Sequence, residues 1–129
     1  MINAAHAIIY ADDPAAARAF FRDVLGFANV DAHGGWLIFK LPPAELGMHP
    51  TRPADNPDAQ AWAPSGHHEL YLMCDDIEAT VQELKGKGAD FSGGVEEAGF
   101  GLLVHIKVPG AGQIGLYQPR HPTAYHLEG

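Results

Sequence analysis

Residues 4–11 alternate in the manner of a strand and are rich in isoleucine and alanine. Asp12-Asp13-Pro14 then offers an N-cap followed by a proline at the first helical position. This predicts a helix over residues 14–25, with Ala17, Phe20, Phe21 and Val24 at helical spacing and Gly26 placed to end it. Residues 27–31, 35–41 and 45–49 read as three strands, divided by Gly34-Gly35 and Pro42-Pro43. The plan then repeats. Residues 68–74 read as a strand, and Asp76 caps a helix over 77–87 with an apolar stripe of Ile77, Val81 and Leu84. Strands are predicted at 90–95, 100–108 and 113–118.

The repetition is visible in the residues themselves. His6 to Asp13 reads onto Glu69 to Asp76, Trp36 to Pro42 onto Leu103 to Pro109, and Glu45 to His49 onto Gln113 to Tyr117. Three matches in one order, at nearly one offset, indicate a duplicated unit. The chain is expected to be one domain, residues 1–129. It divides into a first unit (1–50), a connector (51–66) containing Pro53, Pro57, Pro64 and Gly66, a second unit (67–119) and a tail (120–129).

Strand parity separates two faces. Ala7, Ile9, Leu70, Leu72, Cys74, Leu46, Met48, Ile114 and Leu116 share an apolar side that must pack under the helices. His6, Glu45, His49, Glu69, Gln113 and Tyr117 fall on the other side and are predicted to converge on one concavity. Trp36, Tyr71 and Met73 are expected as its walls, with His105 within reach. His67 and His68 read as an exposed pair. Cys74 reads as an inert core residue, because a reactive thiolate needs an exposed, electropositive setting.

Charge narrows the partners. The formal net charge is −8, with only 8 Lys and Arg residues, which argues against nucleic-acid or anionic-membrane surfaces. No apolar run is long enough to cross a bilayer. A lone cysteine and the lack of a secretory pattern at the N-terminus give a cytoplasmic expectation.

The doubled plan, His6 with Asp12-Asp13, the segment Phe20 to Phe27, Asp75-Asp76, and Ile114 to Pro119 together resemble the vicinal oxygen chelate superfamily. This is the glyoxalase/bleomycin-resistance/extradiol-dioxygenase group. The resemblance implies an α+β fold in which two βαβββ modules form an open, eight-stranded, barrel-like sheet with external helices. It also implies a homodimer. Metal-binding members draw four ligands from the first and last strand of each unit. Those positions are His6, Gly47, Glu69 and Gly115 here, so glycine stands at two of them.

Two functions follow as expectations. In the first, His6, His49 and Glu69 hold a divalent metal (Fe, Mn, Zn or Ni) in a two-His-one-carboxylate set. Glu45 or Tyr117 then serves as the acid/base of a lyase- or dioxygenase-like enzyme acting on a small molecule. In the second, the protein sequesters a drug or metabolite without a metal, and the glycines enlarge the cavity. If positions 47 and 115 face open space, Gly47→Glu and Gly115→Glu are expected to be tolerated.

Overall fold

Both helices begin where the sequence predicts, because each has a carboxylate to cap it. The computed structural model describes residues 4, 6–48, 63 and 67–128. Helix α1 spans Pro14–Asp23, and the Asp13 carboxylate accepts from the Ala16 N–H at 3.1 Å. Helix α2 spans Ile77–Gly86, and Asp76 accepts from the Ala79 N–H at the same distance. A cap of this kind is worth about 1 kcal/mol.

Strands β1 (Asn29–Asp31) and β2 (Leu37–Phe39) form a short antiparallel hairpin. Strands β3 (Tyr71–Met73), β4 (Phe91–Ala98), β5 (Gly101–Lys107) and β6 (Gln113–Pro119) form one four-stranded sheet in the order β3-β6-β5-β4. Strand β3 runs parallel to β6, and the remaining pairs are antiparallel. The β4–β5 register shifts between Ser92 and Glu96, at Gly93-Gly94, as a β-bulge does.

The architecture is therefore α+β with mixed sheets, carrying six strands and two helices among the described residues. The second unit delivers its four expected strands. The first delivers only its middle two. Residues 6–11 and 45–48, expected as its outer strands, carry no strand pairing, and His49 lies outside the described residues. A strand exists only where a neighbour takes up its N–H and C=O groups, and the described residues of the first unit supply none for these segments.

One core cluster joins the halves. Phe20 and Phe21 of α1 meet Ile77, Val81 and Leu84 of α2 and Val104, Ile106, Ile114 and Leu116 of the sheet. Phe21 also packs its ring against Phe27 and Phe39, with centroids 5.9 and 5.7 Å apart. Each such side chain contributes about 1.5–3 kcal/mol on burial. The entry to α1 is pinned to the β5–β6 turn, where the Asp13 N–H donates to the Gly110 carbonyl at 3.0 Å. Gly110 has φ +75°, and a Cβ there would lie 2.6 Å from that of Asp13, so both the turn and the approach require glycine. No helix among the described residues is long and apolar enough to cross a membrane.

Candidate functional site

The face of the sheet turned away from the helices carries the residues that parity assigns to it. Across neighbouring strands, Tyr71, Gly115 and His105 form one row, and Met73, Tyr117 and Leu103 form the next. A cleft of about 670 Å³ opens over the first row. Residues 6–10, 67–71, His105 and 113–115 line it.

Gly115 is not open space. A Cβ built there would lie 2.1 Å from Cδ1 of Tyr71, because the Tyr71 ring leans across the neighbouring strand and occupies that volume. Two contacts hold it. Its hydroxyl donates to Glu69 Oε2 at 3.2 Å, which is geometrically natural because residues two apart on a strand share a face. Its ring meets Tyr117 edge to face at a centroid distance of 6.1 Å and His105 at 6.2 Å. Burial, then the Glu69 charge and hydrogen bond, push the Tyr71 phenol up to about 12. The expectation that Gly115→Glu is tolerated is thereby corrected: its condition, an empty neighbourhood, is not met.

Of the expected metal ligands, His6 and Glu69 line the same cleft, and His49 lies outside the described residues. Glu69 already has a partner on each oxygen, Tyr71 on Oε2 and His67 Nε2 on Oε1 at 3.4 Å. The Gly115 position is filled by a ring. Among the described residues no three His, Cys, Asp or Glu side chains are grouped to hold an ion. The described residues by themselves hold no complete ligand set, His6 and Glu69 being the two expected ligands among them.

The expected acid/base pair is brought together elsewhere. Glu45 and Tyr117 meet at the C-terminal tail, outside the lining of the cleft. The Ala124 N–H donates to Glu45 Oε1 at 2.8 Å. His121 sits between them, with Nε2 3.8 Å from Glu45 Oε2. Its Nδ1 lies 2.7 Å from the Pro122 carbonyl. That carbonyl can only accept, so the ring proton belongs on Nδ1, and Nε2 is left to accept from the Tyr117 hydroxyl. Burial and then the Glu45 charge raise the Tyr117 phenol. This arrangement satisfies both groups internally and ties the tail to the first unit.

Among the expected walls, Tyr71, His105 and Gln113 line the cleft, whereas Trp36 and Met73 do not. Trp36 is 58 % exposed, with the Arg18 guanidinium 4.6 Å over its ring. His67 and His68 are both exposed, but both border the cleft, and His67 bonds Glu69. Cys74 is half-buried, and burial raises its thiol, as expected of an inert core residue. Sequence reasoning missed His121, read only as tail. Pro119 and Pro122 around it erase any periodic signal.

The profile of the Glyoxalase/Bleomycin resistance protein/Dioxygenase superfamily matches residues 3–115. No curated protein matches the chain. Among solved structures, the chain is similar to TnmS3, described as an antibiotic binding protein from a Streptomyces species. They share 24 % identity over 86 % of this chain and 90 % of that one, with a TM-score of 0.56. It is also similar to a lactoylglutathione lyase from Agrobacterium tumefaciens, at 23 % identity over 87 % and 92 %, TM-score 0.54. A superfamily member from Sphaerobacter thermophilus gives 23 % identity over 91 % and 98 %, TM-score 0.59. At these identities the structures speak to the fold, and the profile speaks to descent: the chain belongs to the Glyoxalase/Bleomycin resistance protein/Dioxygenase superfamily.

Proposed function

We propose that this protein is a small-molecule binding protein that holds its ligand in the cleft between residues 6–10 and the β3–β6–β5 face, without a metal. The observation that carries the reading is the Tyr71 ring seated over Gly115. Gly115, one of the four positions from which the resemblance draws metal ligands, lies under an aromatic wall, and Glu69 is hydrogen-bonded to that same Tyr71. The cleft volume, about 670 Å³, suits a drug-sized organic molecule. One structural relative is named for antibiotic binding and another for a lyase activity, so similarity alone favours neither.

The working unit in this reading is a homodimer. Ile8, Tyr10, Leu46 and Met48 of the first unit are 67 %, 90 %, 83 % and 82 % exposed, and apolar surface of this kind supports a protein partner. A second copy would supply the neighbours that residues 6–11 and 45–48 lack, and with them the eight-stranded arrangement expected from the sequence.

The competing reading, a metal-dependent enzyme, is favoured by one observation: His6 and Glu69 line the same cleft. Metal analysis of protein purified without chelator separates the two, with His6→Ala as control. Substoichiometric metal, unchanged in His6→Ala, is expected. Stoichiometric metal that His6→Ala removes would replace the binding reading with the enzymatic one.

A further inference from the structure

Beyond the end of β6 the chain folds back, and His121 is where it is fastened. The Arg120 N–H donates to the Phe100 carbonyl at 2.9 Å, and the Arg120 guanidinium pairs with Glu97 of β4. The His121 ring then meets the Tyr117 ring at 5.8 Å between centroids and accepts its hydroxyl proton in a hydrogen bond. Glu45 of the first unit brings Oε2 to 3.8 Å from the same Nε2. The His121 and Glu45 side chains are only 32 % and 18 % exposed, so water screens this pair incompletely.

Nδ1 donates to the Pro122 carbonyl at 2.7 Å. Nε2 therefore faces two groups with opposite demands. In neutral imidazole it accepts, which suits the Tyr117 hydroxyl and offers nothing to Glu45. Burial and then the Glu45 charge raise the Tyr117 phenol, so the hydroxyl keeps its proton and stays a donor. In imidazolium both nitrogens donate, and Nε2 can no longer accept from Tyr117. A carboxylate is then its stronger partner, because charge-assisted bonds are about twice as strong as neutral ones. Among the described residues, Tyr117 and Glu45 are the titratable groups facing the ring. The nearby Arg120 and Glu97 pair with each other, and His126 of the tail bonds Thr123.

Tyr117 carries this choice to the cleft. Its ring meets Tyr71 edge to face at 6.1 Å and Phe100 at 5.6 Å. Tyr71 is the ring seated over Gly115. The bond from the Tyr117 hydroxyl to the tail thus fixes the ring against which the cleft wall rests.

We infer that His121 is a proton-operated latch. Neutral, it holds the Tyr117 hydroxyl and braces the aromatic wall of the cleft; protonated, it passes to Glu45 and releases that brace. His121 is a positioning residue that acts through Tyr117 and Tyr71. The inference rests on the small-molecule reading of the cleft and adds its regulation. Imidazole changes charge between about pH 5 and 8, so the wall is firmer at the alkaline end of that range and slacker at the acid end.

The test is NMR of the full chain, without ligand and in EDTA, from about pH 8 to about pH 5.5. At the alkaline end the ring-nitrogen shifts of His121 should report the Nδ1–H tautomer, the minority form of a free imidazole, and Tyr117→Phe should abolish that preference. On acidification the Ala124 amide, which donates to Glu45 at 2.8 Å, should gain about two- to fivefold protection from hydrogen exchange after correction for intrinsic rates. The Gly115 α protons should lose part of the ring-current shift that Tyr71 imposes. His105 and His67 also face Tyr71 and its partner Glu69, so the Gly115 response counts only as the part that His121→Gln removes. In that variant the amide oxygen can accept from Tyr117 at every pH, and the Ala124 response should vanish as well. Glu45→Gln should abolish the gain at Ala124. Circular dichroism confirms that each variant folds.

A His121 ring protonated on Nε2 at the alkaline end overturns the latch. So does an Ala124 response that survives His121→Gln. A Gly115 response identical in the parent chain and in His121→Gln overturns the coupling to the cleft. Each of these outcomes leaves the binding reading standing, because that reading is decided by the metal content of the protein.

Discussion

The sequence predicts the same plan for both units, yet they end in different states. The second closes its own four-stranded sheet and supplies Ile77, Val81, Leu84, Val104, Ile106, Ile114 and Leu116 to the core. The described part of the first supplies three fully buried residues, Ala17, Phe20 and Phe21, all from its helix, while Ile8, Tyr10, Val30, Trp36, Leu46 and Met48 stay exposed. The helices are capped alike, so local helix signals do not explain the difference. Sheet pairing does. In β4–β6 each strand follows the last through a short turn and finds its partner at once, whereas residues 6–11 and 45–48 find none nearby.

The largest effect should come from breaking the self-sufficient half. Ile106 is fully buried in β5, and Ile106→Ala should cost about 2–5 kcal/mol, read from the urea midpoint. Surface changes in the first unit should leave that midpoint nearly alone at low protein concentration. They should act on assembly instead. Leu46→Asp is expected to weaken dimerisation by about 2 kcal/mol or more, as loss of an interface anchor does. Sedimentation equilibrium should show a dimer for the parent chain and a shift to monomer for the variant. A monomeric parent chain at micromolar concentration would remove the second copy from the account.

Gly115→Ala sharpens the comparison within the second unit. The new methyl would overlap the Tyr71 ring, and displacing that ring should cost about 1–3 kcal/mol. The same change made in Tyr71→Ala should cost almost nothing. This non-additivity is the signature of direct contact. Additive losses would mean that the ring does not rest there.

The smallest effect is electrostatic. The folded protein holds the Tyr71 proton more tightly than the unfolded chain, raising its phenol from 10 to about 12. The stability this contributes is complete below pH 10 and is lost as the pH rises through about 12. Ultraviolet titration should show late phenolate steps for Tyr71 and Tyr117, and Tyr71→Phe should remove one of them.

How much of this was legible in the sequence follows from the range of each interaction. The caps Asp13 and Asp76 act over three residues and announce both helices. Strand parity has a period of two, and it assigns Tyr71, Gln113 and His105 to the face along which the cleft runs. What parity cannot give is the lateral row. That Tyr71 leans over Gly115 depends on the β3–β6 register, which joins residues 44 positions apart. Trp36 was expected in the wall, but the hairpin turn at Gly34-Gly35 turns it outward under Arg18. Glu45 and Tyr117 were expected at the reacting centre, and they do meet, but His121 and the tail backbone occupy them. No local pattern marks a tail that folds back over the end of a sheet. Residues 45–48 have no strand partner among the described residues, and their alternation alone does not reveal it.

The metal-independent reading stands on the Tyr71 ring seated over Gly115. It is tested most directly by proton NMR of the folded protein before and after one equivalent of Zn(II). Strong nuclear Overhauser contacts between the Tyr71 ring and the Gly115 α protons are expected, together with ring-current shifts of those protons, both unchanged by zinc. Absence of the contacts, or their loss on adding zinc together with perturbation of His6 and Glu69, would contradict it.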